Sequence, residues 1–370
     1  NSFRFSIEWS KIEPQKGQFD NSVIQHYHKV LDDLLDHNIE PIATMFHFTE
    51  PIWFTNLGGW TKHENLDLFY SYCSRIYKEY NRKVKYWVTI NSPNAYALQG
   101  WDKGLWPPGQ KDNKKVAADV MAHMAEAHVG VYQMIKAQPE GNSSRVGMVL
   151  NVQQFDPANA TNPLDRMISN MVEGVYTGGY LSYFQSGKFS MIVPGEVTKI
   201  YTNPLAPHSL DFFGMNYYGN AYVKFTVSKE KYEIVQSGHD IISDIGWPIY
   251  PEGIYRALRQ ISEKLPNLPI LIAENGVADA RDKYRDLFIK RYLYATSKAM
   301  KEGSNVIGYM HWALVDNFQW EYGFTMKFGL YAVDYTTQKR TLRNGAKAYI
   351  NVIKRFSTFD QVMAWGNDEI

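Results

Sequence analysis

Short apolar runs alternate with longer segments of helical periodicity from one end of the chain to the other. The first run spans residues 4–9 (RFSIEW), and a helix is expected over 22–37. There Val23, Ile24, Tyr27, Val30, Leu31, Leu34 and Leu35 recur at helical spacing. Further runs lie at 41–48 (PIATMFHF), 84–90 (VKYWVTI), 146–152 (VGMVLNV), 212–217 (FFGMNY), 270–273 (ILIA) and 306–312 (VIGYMHW). Helices are expected after them near 66–80, 116–137, 163–184, 252–265, 282–302 and 342–355. Seven strands, each trailed by a helix, predict parallel strands with helices outside them. A doubly wound sheet would carry a Gly-rich phosphate loop, yet neither GxGxxG nor GxxxxGK occurs. Side chains of chemical interest (His47, Asn91, Asn216, Glu274 and Trp312) fall at the carboxyl ends of the runs, where a barrel keeps its site. The expected fold is α/β, a (β/α)8 TIM barrel forming one domain over 1–370. Such a barrel closes with eight strands, so the chain is expected to begin at the second one.

Composition narrows the function. Hydrophobic residues make up 45% of the 370, ample for a large core, and the aromatic share is 15%, with 10 Trp and 26 Tyr. That surplus of rings suits stacking on sugar faces, although ordinary interfaces use rings as well. A net charge of +1 without a basic stripe argues against a nucleic-acid partner. No apolar run approaches the roughly 20 residues of a membrane span, and the first residues lack the shape of a signal peptide. One cysteine, Cys73, cannot form an internal disulfide and points to a reducing, cytoplasmic setting. The sequons Asn142-Ser143-Ser144 and Asn159-Ala160-Thr161 are read as chance occurrences. No His/Cys/Asp cluster has metal-ligand spacing and no cofactor motif is present, so neither metal nor cofactor is expected. The oligomeric state is not legible.

Two segments carry the chemistry: Thr89-Ile90-Asn91-Ser92-Pro93 and Ile272-Ala273-Glu274-Asn275-Gly276. They resemble the two signatures of glycoside hydrolase family 1, T-[FL]-N-E-P and [IV]-[TA]-E-N-G. The second matches in full; the first matches except at Ser92. Supporting matches run in order along the chain. They include Phe46-His47-Phe48 with Pro51, Gly58-Gly59-Trp60, the stretch 211–218 (DFFGMNYY), and 246–253 (GWPIYPEG). A last block runs through His311-Trp312, Asp316-Asn317-Phe318-Gln319-Trp320 and Phe328-Gly329-Leu330. The resemblance implies a retaining β-glycosidase of the β-glucosidase or β-galactosidase type, acting on a small-molecule β-glycoside. It makes Glu274 the nucleophile, with Arg4 supplying positive charge beside it and Tyr218 a hydrogen bond. It gives Asn91 the sugar's 2-hydroxyl, and lines the sugar subsite with His47, Asn216, Trp312, Gln319 and Trp320.

Three departures qualify the resemblance. Ser92 occupies the position of the acid/base Glu, and a serine hydroxyl is far too weak an acid to protonate a departing alkoxide. General acid–base assistance is worth about 10²–10⁴ in rate, so a severe loss is expected. Glu50 and Asp102 are the nearby carboxylates that could stand in. Gln319 replaces the Glu that grips the sugar's 4- and 6-hydroxyls. The family's first strand and its sugar-binding Gln have no counterpart here. Three readings stand side by side: an acid/base position changed by design, a sugar-binding barrel without turnover, and a thioglycosidase-like enzyme that needs no acid. Residues 321–324 (EYGF) lack the phosphate-binding signature of 6-phospho-glycosidases, which favours an unphosphorylated sugar.

Overall fold

The computed structural model describes residues 1–228, 230–236, 238, 240–355 and 361. Seven strands, Ser2–Ser6, Glu40–Phe46, Tyr86–Asn91, Arg145–Asn151, Phe212–Asn216, Ile270–Asn275 and Val306–His311, lie in one sheet in chain order. The pairing is parallel where Arg4 faces Ile42, Ile42 faces Tyr86 and Ile272 faces Tyr309. An order that never reverses belongs to a singly wound β/α barrel, whereas a doubly wound sheet reverses at a switch point. The inner strands are buried almost throughout, as parallel strands covered on both faces must be.

The structure corrects several boundaries. The first strand stops at Ser6, because Glu8 caps a short helix, Trp9–Ile12, by accepting a hydrogen bond from the Ser10 amide at 3.2 Å. The helix expected over 163–184 is two helices, Pro163–Glu173 and Gly179–Ser186, separated by a π-turn at Gly174–Gly178. The last helix begins only at Lys347, since Arg340–Leu342 pairs antiparallel with Tyr331–Val333. The hairpin of Lys188–Val193 and Val197–Thr202 was not foreseen, although Phe189, Met191 and Val193 are buried at every second position.

By its contacts the chain divides into two compact units, Asn1–Asn151 with Thr177–Gly214, and Val152–Tyr176 with Met215–Ile370. The first unit is centred on aromatic packing: the Trp9 ring lies 4.7 Å from Phe54 and 4.9 Å from Tyr72, and Trp60 lies 4.9 Å from Phe69. Tyr72 spends its hydroxyl on the carbonyls of Ile7 and Met45, tying the helix Leu66–Tyr80 to the ends of two strands. Gly58 and Gly59 both have positive φ, 99° and 51°, which lets the chain turn sharply enough to sink Trp60 into this cluster. In the second unit Arg256 grips Asp156 through two bonds of 2.7 and 3.0 Å. Asp316, buried, accepts two more from Arg343 at 2.8 and 2.9 Å. No helix among the described residues is long and apolar enough to cross a membrane.

Three histidines are held neutral by burial. His128 spans Thr89 and Ser209: its Nε2 donates to the Ser209 carbonyl at 2.8 Å, so Nδ1 accepts from the Thr89 hydroxyl at 2.7 Å. Burial lowers His128 to about 4, and lowers His47 and His311 to about 3, with Arg4 and Arg285 respectively adding repulsion. Below the ordinary histidine value of 6.5 the unfolded chain therefore takes up protons that the folded chain refuses. These three histidines contribute a loss of stability as pH drops from about 6.5 towards 3, by up to about 1.4 kcal/mol per pH unit each, and contribute no change above that window. His311 offers the sharpest check, because its two ring nitrogens are buried without a hydrogen-bond partner among the described residues. Its ring lies 6.5 Å from Phe288 and 5.7 Å from Tyr349. His311→Phe should raise stability by about 1–3 kcal/mol and make the acid limb of a urea-midpoint-versus-pH curve shallower. An unchanged limb would remove His311 from the account.

Candidate active site

In the first unit the strand Tyr86–Asn91 delivers Asn91 and then Ser92, both buried. Ser92 has φ 44° and ψ 56°, a left-handed conformation uncommon for a residue with a side chain. Its amide donates to the Val149 carbonyl at 2.7 Å, and its own carbonyl accepts from Tyr96 at 3.0 Å as the helix Pro93–Ala97 begins. Pro93 sits at the first helical turn, where a missing N–H costs nothing. Asn94, fully buried, donates to the Asn151 carbonyl at 2.7 Å and accepts from the Asn151 amide at 3.4 Å. The root of the Ser92 side chain is thus fixed by the backbone. Strain held at one such residue is a common mark of functional turns.

Arg4, His47 and Asn91 form one network beside it. The Arg4 guanidinium donates from Nη2 to Asn91 Oδ1 at 2.7 Å and from Nε to the Thr44 hydroxyl at 3.2 Å. A guanidinium can only donate, so Oδ1 of Asn91 faces it and Nδ2 is left to donate to His47 Nε2, 3.2 Å away. His47 then carries its proton on Nδ1, and its strongly lowered pKa keeps the ring neutral. A neutral imidazole beside a carboxamide and a guanidinium can exchange directional hydrogen bonds with hydroxyl groups, which is what a sugar presents. Thr44 was not identified from the sequence; a lone polar residue in the run PIATMF was the available signal.

The two carboxylates considered as replacements for the acid each have partners of their own. Glu50 turns into the loop that follows it, accepting from Thr55 at 2.7 Å and from Tyr96 at 3.1 Å, with Oε1 packed against Gly59. Burial raises its pKa, offset in part by those bonds. Asp102 is buried and bracketed by the ammonium groups of Lys103 at 3.1 Å and Lys114 at 3.2 Å.

In the second unit Glu274 lies one residue before the end of its strand, 5% exposed, with Oε2 accepting from the Tyr218 hydroxyl at 2.7 Å. The Tyr218 ring is flanked by Trp247 at 5.4 Å and Phe328 at 6.0 Å, two residues whose supporting part the sequence did not reveal. The Glu274 carbonyl accepts from the Tyr217 amide at 3.0 Å. Gly276 is demanded by Trp312: a Cβ at 276 would stand 1.8 Å from the Trp312 carbonyl oxygen. The Trp312 amide donates to the Asn275 carbonyl at 2.9 Å, which ties the Trp312 backbone to the residue after Glu274. Gln319, buried, donates from Nε2 to Asn317 at 2.9 Å, and Trp320 follows with φ 49°. Asp316 and Arg343 anchor the start of that loop. Asn216 is buried at the end of its strand, and its carbonyl accepts from Val152 at 2.8 Å. Among the described residues no group of three or more His, Cys, Asp or Glu side chains is placed to hold a metal ion.

The arrangement can be set beside known proteins. The chain is 30% identical over 370 residues to β-glucosidase A of Thermotoga maritima, covering 95% of this chain and 82% of that one. It is 27% identical to a 6-phospho-β-galactosidase of Lacticaseibacillus casei, covering 94% and 83%. Among solved structures, a β-glycosidase from Pyrococcus horikoshii superposes with a TM-score of 0.87 at 32% identity, over 95% of this chain and 80% of that one. These likenesses extend across the (β/α)8 barrel fold rather than one motif. The profile of Glycosyl hydrolase family 1 matches residues 1–357, and the chain belongs to that family of glycoside hydrolases.

Proposed function

We propose that Glu274 is the nucleophile of a retaining β-glycosidase, that Ser92 stands at its acid/base position, and that hydrolysis of ordinary O-glycosides is strongly impaired. The observation that carries the reading is the placement of Glu274: buried, at a strand end, with one carboxylate oxygen fixed by Tyr218. In the first step a Glu274 oxygen bonds to the anomeric carbon while the bond to the aglycone oxygen breaks. With Ser92 the aglycone leaves as an anion, so only leaving groups that are stable as anions depart readily. In the second step water attacks the glycosyl ester, and with no carboxylate at position 92 to take its proton this step is slow.

Arg4, His47 and Asn91 act on the glycone in this scheme: Asn91 on the 2-hydroxyl, neutral His47 on a neighbouring hydroxyl, and Arg4 by orienting Asn91 and supplying charge. Asn216, Trp312, Gln319 and Trp320 also bind the sugar in this reading. The substrate is an unphosphorylated β-glucoside or β-galactoside. A thioglycoside, whose thiolate leaves without a proton, is the second reading, and Ser92 itself is what favours it.

Mixing the protein with 2,4-dinitrophenyl β-glucoside should give a burst of one dinitrophenolate per chain, then slow turnover. Intact mass should show one added hexosyl group, and peptide mapping should place it on Glu274. A folded protein showing neither burst nor adduct would leave the barrel as a sugar-binding protein without turnover.

A further inference from the structure

The side chain of Asn275 is fully buried and both ends of its amide are used. Nδ2 donates to the Tyr217 carbonyl at 2.6 Å, and Oδ1 accepts from the Tyr309 hydroxyl at 2.7 Å. The orientation is forced, because a carbonyl can only accept and the nitrogen must face it. Main-chain bonds close the same knot: Tyr217 N to the Glu274 carbonyl at 3.0 Å, and Trp312 N to the Asn275 carbonyl at 2.9 Å. One step further out, Tyr349 of the helix Lys347–Arg355 donates to the Tyr309 carbonyl at 3.0 Å. Three strands, Phe212–Asn216, Ile270–Asn275 and Val306–His311, are therefore tied near their carboxyl ends around one carboxamide. The residues beside these ties are Tyr218, Glu274 and Trp312.

We infer that Asn275 and Tyr309 are positioning residues that set the angle of the Glu274 carboxylate; the inference rests on Glu274 being the nucleophile. Neither side chain needs to touch substrate. Their effect runs through the peptide that Glu274 shares with Asn275, whose carbonyl is held by the Tyr217 amide and whose nitrogen belongs to Asn275 itself. Loss of either bond leaves a buried polar atom unpaired and frees the strand end to rotate. Misplacement of a reacting group by about 1 Å can cost on the order of 10²-fold in rate, so a small rotation has a measurable consequence.

Asn275→Asp separates this role from simple packing, because it preserves shape while replacing the amide NH2 with an oxygen that donates only when protonated and is charged when it is not. When ionised, the introduced carboxyl has no proton to give the Tyr217 carbonyl and opposes it with a lone pair; when protonated, it donates as the amide does. The full-length chain is treated with 2,4-dinitrophenyl 2-deoxy-2-fluoro-β-glucoside, whose leaving group needs no acid, and labelling of Glu274 is followed by mass. At pH 8 the variant's maximal labelling rate should be about 10–100-fold below the parent's, with the half-saturating concentration within about twofold. The deficit should shrink as pH is lowered and the carboxyl takes up its proton. Tyr309→Phe, which loses one hydroxyl and keeps the ring, should lower the maximal rate about 3–10-fold without that pH dependence, and carries the test if the Asp variant does not fold. A folded Asp variant that labels like the parent at every pH, or one whose deficit does not change with pH, overturns the positioning role. A folded parent that does not label at all overturns the nucleophile assignment instead, which keeps the two failures apart.

Discussion

Replacing Ser92 by Glu is expected to raise kcat on alkyl β-glucosides and on cellobiose by about 10²–10⁴-fold. The gain on 2,4-dinitrophenyl β-glucoside should come mainly from its second step. Position 92 is held by its backbone, with the amide on Val149, the carbonyl on Tyr96, and Asn94 bonded across to Asn151. A longer side chain therefore leaves from the same root and carries its carboxyl beyond the point where the hydroxyl now ends. An alkoxide is a poor leaving group, and a proton delivered as the bond breaks is worth the full acid-catalysis factor. A dinitrophenolate is already stable, so its departure gains little, whereas deprotonation of the incoming water gains in both cases. Steady-state kinetics on the two substrate classes across pH would check this. The variant should also acquire a basic limb in its pH profile that the parent lacks. A folded Ser92→Glu protein with no gain on alkyl glucosides would mean that position 92 does not face the aglycone.

The second large effect is the loss of covalent chemistry in Glu274→Gln, expected to lower turnover of the dinitrophenyl glucoside by at least about 10⁴-fold. A neutral amide oxygen is a poor nucleophile, so on the proposed mechanism no glycosyl intermediate forms in this variant. The substitution should spare stability, because the amide keeps an oxygen to accept from the Tyr218 hydroxyl that now lies 2.7 Å from Oε2. Thermal unfolding within about 2 °C of the parent, with sugar binding retained, would assign the loss to chemistry rather than to folding. Turnover surviving at a tenth of the parent rate would require a different nucleophile.

Much of this was written in the sequence, but unevenly. The strands bearing the two motifs were legible because their apolar runs end at a polar signature residue, and the structure ends them at Asn91 and Asn275. The first run misled because Ile7 and Trp9 are as buried as strand residues yet lie past the point where Glu8 starts a helix. Apolar identity reports burial, not the hydrogen-bond ladder. The site residues came from motif identity, whereas their supports did not. Thr44 under Arg4, Trp247 and Phe328 around Tyr218, and Tyr309 on Asn275 are contacts between residues far apart in the chain, and no local pattern encodes them. Side-chain direction was likewise out of reach: Glu50 lies three residues after His47, yet its carboxyl turns into the loop of Thr55 and Gly59.

On the proposed mechanism Glu274 is a working nucleophile in a site whose acid/base position holds Ser92. The most direct test is turnover of 2,4-dinitrophenyl β-glucoside with and without sodium azide, with Glu274→Gln as control. Azide is small and needs no base, so it can attack the glycosyl ester where water stalls. The account predicts azide-dependent acceleration, a β-glucosyl azide as product, and neither in the Glu274→Gln protein. An α-glucosyl azide, or acceleration that persists without Glu274, would contradict it.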